Sequence, residues 1–507
     1  MRIHRGWCWR LIALALLGGL TACAMIREPS PAPSAGTVRR PRPATPQEPQ
    51  APGFFSPLLT FGGDNELYLM WASGTLYKKQ NDIHFSRSVD DGLTWDAHKS
   101  LKADPTRNTG GRQIVADRNG NVMAFWGAGL RTGNIDVVAA RSEDHGANWT
   151  PPQGLYKGEI HVPSLITGPN GEYVSIIPEG PESNWRLVFF RSVDGGKIWE
   201  QLPTLNGTLG TDSQFGIRSS QIVADRNGRL HVVWQERGRG QRERIYYNRL
   251  ESANAHGAWL PEAVQLSAGE ADSSGAYRPQ ISVDADGHLF VAWVEAWDPG
   301  NAALGEGQHP QSVYFTRSMD GGRTWLAQPI RLSRTGPEAL RHVATHVEVA
   351  NDGKGRIYVA WREEVGFPRV ERLVFQGSTD YGATWISEPR SLREIKPFPA
   401  IHARFHLKSG ENGRVYLLWQ MAGFAWDLFF MQSTDGGMTW SKAPIRLATL
   451  PQTDPGAHDV AFETRGSHLY VAWDIGPKLP SEIFVNRSTD FGRTWLTREV
   501  QVTKREP

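Results

Sequence analysis

Cysteine is nearly missing from this chain: Cys8 and Cys23 are the only two. Both stand ahead of residue 24, so the remainder can form no internal disulfide and must hold its fold by packing alone. Charge of one sign is also missing. With 55 Lys and Arg against 53 Asp and Glu, the formal net charge is only +2, which argues against a nucleic-acid partner. Long apolar runs are scarce, and LIALALLGGL at 11–20 is too short to span a bilayer. Outside ordinary hairpin turns there is no tight His or Asp cluster, so no metal site and no cofactor are expected. DADG (284–287) looks like the start of a calcium loop but lacks the remaining ligands. What is abundant is turn and aromatic chemistry: 53 glycines and 20 tryptophans, with few helical apolar patterns, favour an all-β protein.

The N-terminus reads as an address. Arg2, Arg5 and Arg10 precede the run at 11–20, the pattern of a secretory signal. The stretch Leu20-Thr21-Ala22-Cys23 follows at once and resembles the bacterial lipobox, which implies removal of residues 1–22 and lipidation of Cys23. Residues 23–53, with eight prolines after the cysteine, read as a stiff tether. Ala24 rather than aspartate after the cysteine resembles outer-membrane sorting. The expected location is the outer membrane, held by the N-terminal lipid and facing either the periplasm or the surface.

From residue 54 the chain is periodic. The motif S-x-D-x-G-x-[TN]-W, or a near variant, ends at Trp95, Trp149, Trp199, Trp325, Trp385, Trp440 and Trp495. The spacings are 54, 50, 126, 60, 55 and 55 residues, and the long gap holds a worn copy, ESANAHGAW (251–259), ending at Trp259. A second signature keeps step: an apolar strand ending in tryptophan, such as LYLMW (67–71) and LYVAW (469–473). Hairpin turns such as ADRNG precede these strands, a third strand follows, then the motif, then a short fourth strand. Four antiparallel strands per unit, repeated eight times, predict a β-propeller over residues 54–502, with 503–507 as a tail.

The motif resembles the Asp-box, or BNR repeat, of the sialidase superfamily. The resemblance implies a turn between strands three and four, on the side away from any active site. Local chemistry agrees, because Asp and Ser side chains can bond the turn's own amides while the tryptophan seals the blade. An acid repeated in equivalent places is scaffold, so Asp90, Asp144, Asp194, Asp320, Asp380, Asp435 and Asp490 are assigned that role.

Propeller ligands usually bind the channel mouth, where first strands start and second strands end. Two positions past the strand-two tryptophan stand Glu179, Glu236, Glu295 and Glu363, four carboxylates in one register. First-strand starts carry Arg112, His161, Arg218, Arg278, Arg341, Arg404 and His458. The candidate ligand site is Arg218, Arg278 and Arg341 with Glu236, Glu295 and Glu363, since arginine grips a carboxylate through a planar fork. The alternative is that these charges pair with one another and rivet adjacent blades. The superfamily's Arg-Ile-Pro motif has its nearest match in HVPSL (161–165), with His161 in place of the arginine. Tyr277 stands where a nucleophilic tyrosine could, but spacing identifies no glutamate partner. The expected function is binding of a glycan, another anionic ligand or a protein partner at the mouth. A divergent sialidase-type exo-glycosidase and a scaffold for an envelope protein complex remain the alternatives.

Overall fold

The structure, a computed structural model, describes residues 53–503 apart from 75–81, 102–107, 118, 130–134, 159–163, 169, 181–185, 208–216, 238–241, 252–256, 268–272, 298–309, 335–341, 367–369, 396–403, 422–426, 449–456 and 476–480. The expected signal, Cys23 and nearly all of the tether lie outside the described residues. Among the described residues, thirty-two strands fall into eight antiparallel units of four, each contiguous in sequence. Unit one is Gly53–Phe61, Leu67–Gly74, Asp82–Ser88 and Lys99–Ser100. Unit eight is Ala457–Arg465, His468–Ile475, Glu482–Ser488 and Val500–Gln501. A single parallel bridge, Gln311 to Val343, joins units five and six into one sheet.

Strand alternation explains why the units stack. In the second strand of unit one, Tyr68, Met70 and Ala72 face unit two, whereas Leu67, Leu69 and Trp71 face unit eight. Every unit is therefore apolar on both faces, and eight separate apolar clusters form, one between each pair of neighbours. The cluster joining unit eight to unit one closes the ring, which makes the architecture an all-β propeller. First strands of successive units neighbour one another and so lie innermost.

The repeated motif forms the turn between strands three and four, in the geometry its residues dictate. Asp90 accepts the Ser88 hydroxyl (2.9 Å), the Thr94 amide (2.8 Å) and the Thr94 hydroxyl (2.6 Å), while Ser88 accepts the Gly92 amide (2.8 Å). Asp320 repeats this with Ser318 and Thr324, and Asp490 with Ser488 and Thr494. The turn bonds the hairpin between strands one and two of its own unit, as in Tyr381 N–H to the Gly355 carbonyl (2.7 Å). The motif thus occupies the end opposite the first-strand starts.

Its tryptophan reaches the preceding unit rather than its own. Trp325 packs edge-on against Tyr247, Trp385 against Phe315 and Trp495 against Phe430. The arginine that opens the motif reaches the following unit: Arg249 Nη1 donates to the Gly321 carbonyl (2.7 Å) and Arg317 Nη1 to that of Tyr381 (2.7 Å). Arg487 does the same across the closure, onto Asp91. Arginine thus rivets neighbouring blades at the motif end.

Candidate functional site

Among the described residues, six first strands carry a β-bulge near their starts. The register shifts between Phe55 and Leu58, Gly110 and Gln113, Arg218 and Gln221, Tyr277 and Gln280, Ala344 and His346, and Ala457 and Val460. Ser56, Ser219 and Arg278 sit in these bulges at φ of 54°, 46° and 54°, a conformation rare for residues with a Cβ. A bulge frees a backbone amide from the ladder and turns its side chains out of the strand plane. One recurring at the same place around a ring makes a built rim.

The freed amides are taken up by the residue directly after the strand-two tryptophan. Gln235 accepts the Arg278 amide (3.3 Å), and Asp474 accepts that of Asp459 (2.8 Å). At the same position in unit six, Arg362 Nε donates to the Thr345 hydroxyl (2.7 Å). The sequence reading singled out the following position, and that one faces the preceding unit instead. Trp234 Nε1 donates to Glu236 (2.8 Å) and Trp293 Nε1 to Glu295 (3.1 Å), both residues being buried. Glu363 is likewise buried, 3.1 Å from His342 Nδ1 in an orientation that makes no hydrogen bond. Glu179 takes Arg186 Nε (2.5 Å) and the Tyr156 hydroxyl. Burial pushes its pKa up, and those two bonds bring it below the usual range.

The arginines are placed differently. Arg278 is exposed, and its Nη1 donates to the Thr345 carbonyl of the next unit (2.7 Å). Arg218 pairs through its backbone with Gln235 just before its bulge; its side chain, Arg341 and His161 lie outside the described residues. Among the described residues, Glu236 and Glu295 take indole donors, and Arg278 donates to a carbonyl.

Polar clusters stand on the rim at several places among the described residues. Between units four and five, the Tyr277 hydroxyl donates to Glu243 Oε2 (3.3 Å), and Arg237 lies 3.6 Å from the other carboxylate oxygen. Burial, then the charge and hydrogen bond of Glu243, raise the Tyr277 pKa, so the phenol stays protonated at neutrality. The acid that accepts the Tyr277 hydroxyl is Glu243, which spacing did not reveal. It lies on the segment entering strand three of the neighbouring unit, 34 residues upstream of Tyr277. Another cluster lies at the closure. Asp459 there accepts the Ser56 hydroxyl and Arg404 Nη1 (2.7 Å), with Asp474 behind it and Arg112 facing both. The detectable signal for the capping residues was a polar letter after an apolar run, as in WQ, WR and WD.

One group could be mistaken for a metal centre: Asp284, Asp286 and His288 bring ligand atoms within 4.8 Å of one another. Asp284 accepts the amides of Asp286 (3.0 Å) and His288 (2.9 Å), with His288 Nδ1 at 2.8 Å. Asp225 does the same with Asn227, Arg229 N–H and Arg229 Nε, and Asp352 with Lys354 and Arg356. The group is a hairpin brace repeated in successive units.

Comparison with known proteins agrees with this architecture. Over 248 residues the chain is 26% identical to a sialidase of Micromonospora viridifaciens, a match covering 40% of this chain and 37% of the sialidase. The chain thus spans little more than a third of that relative's length. Among solved structures it is similar to an ulvan lyase, a polysaccharide lyase, with a TM-score of 0.50 at 14% identity. That match covers 75% of this chain and 93% of the lyase. No protein-family model matches the chain.

Proposed function

We propose that this sialidase-like β-propeller is a carbohydrate-binding protein of the bacterial envelope, taking an anionic glycan at the rim of bulged first strands. The observation that carries the reading is Arg278. Its backbone is held in a left-handed bulge, its amide is capped by Gln235, and its guanidinium is exposed beside a polar rim. A planar, permanently charged fork in that position suits a carboxylate. Lipidation of Cys23 would tether the propeller to the outer membrane. Glycan-array screening followed by titration of the best acidic glycan tests the reading. Arg278→Ala should weaken binding about tenfold to a hundredfold, the worth of one charged hydrogen bond. Unchanged affinity in a folded variant would refute it.

A second reading, hydrolysis of a sialoside-type linkage, is favoured by the Tyr277–Glu243 pair. Sialidases are glycosidases with a tyrosine nucleophile, and a protonated phenol needs an adjacent base of this kind to act as one. A fluorogenic sialoside should then be cleaved by the protein but not by Tyr277→Phe or Glu243→Gln. Absence of cleavage alongside retained glycan binding would leave the binding role alone.

A further inference from the structure

Among the described residues six large apolar side chains stand exposed, and all six are in the motif turns. Val89 and Leu93 belong to unit one, Val193 and Ile198 to unit three, Met319 to unit five and Met438 to unit seven. The turn itself does not call for them. Where Val89, Val193 and Met319 stand between Ser and Asp, other units carry Glu143, Thr379, Thr434 and Thr489. Where Leu93 and Met438 follow the glycine, others carry Ala147, Lys197, Arg323, Ala383 and Arg493.

Unit three departs furthest. The residue before the tryptophan is Thr94, Asn148, Thr324, Thr384, Thr439 or Thr494 in the other intact copies. Each donates a side-chain hydrogen bond of 2.6–2.7 Å to its motif aspartate. In unit three it is Ile198, which gives Asp194 its amide (3.0 Å) and has no side-chain hydrogen to give. The exchange forfeits a hydrogen bond and leaves Ile198 73% and Val193 69% exposed, a loss that an exposed side chain does not offset within the fold.

The arrangement selects the partner. The tips belong to four units spread around the ring, at equivalent turns, so they mark out a plane. Polar residues stand between them: Glu143 of unit two, Thr379 of unit six and Thr489 of unit eight. A protein interface is built around a continuous apolar centre, whereas a bilayer accepts separate apolar side chains at one depth. Arg323 and Arg493 are exposed at the position that Leu93 and Met438 fill, where a guanidinium suits lipid phosphate. Reach is sufficient as well. About thirty residues separate Cys23 from Gly53, which opens unit one at the rim end. A proline-rich chain of that length spans roughly 90 Å, about three times the length of a nine-residue strand.

We propose that the motif face is a membrane-docking surface, whose six apolar tips enter a lipid bilayer. With this face seated, the rim that carries Arg278 and Tyr277 points away from the bilayer. The inference rests on the envelope reading only for the tether, which keeps the face near the membrane so that a few weak contacts suffice.

Ile198→Cys and Met438→Cys are each spin-labelled in the full-length chain. Lys157→Cys, exposed on the fourth strand of unit two at the rim end, is the control. The unaltered chain, carried through the same labelling, gives the background from Cys8 and Cys23. On vesicles of equal parts phosphatidylethanolamine and phosphatidylglycerol, both tip labels should become accessible to oxygen and protected from a water-soluble nickel complex. The Lys157 label should stay open to nickel. Ile198→Thr with Leu93→Ser, read through the label at 438, should lower the ratio of seated to unseated protein roughly tenfold. Ile198→Thr alone should keep or raise the melting temperature, since it restores the side-chain bond to Asp194. An unchanged ratio in that folded double variant would overturn the proposal. Fatty-acid incorporation by the unaltered chain tests the tether separately. A chain that takes fatty acid and floats with vesicles while its tip labels stay in water sinks the docking face and leaves the tether. Tip labels that enter the bilayer in a chain without fatty acid leave the docking face standing alone. Protection of the tips in whole envelopes, but not on vesicles of the lipids extracted from them, would assign the face to a protein partner and overturn the bilayer.

Discussion

At the motif end, Asp320 accepts the Ser318 hydroxyl, the Thr324 hydroxyl and the amides of Arg323 and Thr324, all within one turn. At the rim, Asp474 accepts amides from Asp459 and from another unit altogether. The same residue type ends in opposite electrostatic states. Partial burial pushes the Asp320 carboxyl up, but the bonds from Thr324 and Ser318 pull it to about 2. Deeper burial prevails at Asp474 and raises it to about 7. The bonds of its own turn keep Asp320 ionised, whereas deeper burial holds Asp474 near its titration point.

The largest test of this contrast is at the motif end. Trp325→Ala removes the ring that packs on Tyr247 of the preceding unit, and should cost about 3–5 kcal/mol in denaturant unfolding. Glycan affinity in the surviving folded protein should not change. A loss below about 1 kcal/mol would mean that the tryptophan does not join the blades.

Next comes the pH dependence of stability. The folded Asp474 pKa of about 7 exceeds its ordinary value of 3.8, so the folded state holds that proton more tightly. Its contribution favours folding fully below about pH 4 and is lost as pH rises through 7. At ~1.4 kcal/mol per pKa unit, this amounts to roughly 4 kcal/mol across that window. Melting curves of Asp474→Asn against the unaltered chain between pH 5 and 8 should show the decline with pH flattened in the variant. Parallel pH profiles would contradict the burial argument.

Smaller still, Asp320→Ala should cost about 1–3 kcal/mol for the turn amides left without an acceptor, with ligand affinity unchanged. A stable variant that lost binding selectively would reverse the assignment of the two ends. The smallest stability effect is expected at Arg278→Ala, within about 0.5 kcal/mol because the side chain is exposed. The affinity loss described above would then stand alone. A large drop in melting temperature there would instead make Arg278 a rivet between units five and six.

The four-glutamate register shows where the sequence misleads. Glu236, Glu295 and Glu363 do share a face, as period-two alternation requires. That face points at the preceding unit, where an indole N–H or a histidine meets the carboxylate. The neighbouring polar residues Gln235, Arg362 and Asp474 face the bulges, and nothing in their spacing announces this. A bulge adds one residue to one strand and resets which side chains look outward, so register counted along a single strand fails at the rim.

By itself the sequence determined the propeller. The repeat, the alternation and the turn chemistry are local, and each unit needs apolar neighbours on both faces, so periodic units must stack and close. It also determined which aspartates are scaffold, because Ser, Asp, Gly and Thr within seven residues satisfy one another without outside help. The tertiary structure alone decided the polar meetings. Tyr277 finds Glu243 from another unit, and Asp474 finds Ser56 across more than 400 residues of chain. Such pairs depend on the angle between blades and on where each first strand bulges, and a repeat that is the same in every unit carries no record of either.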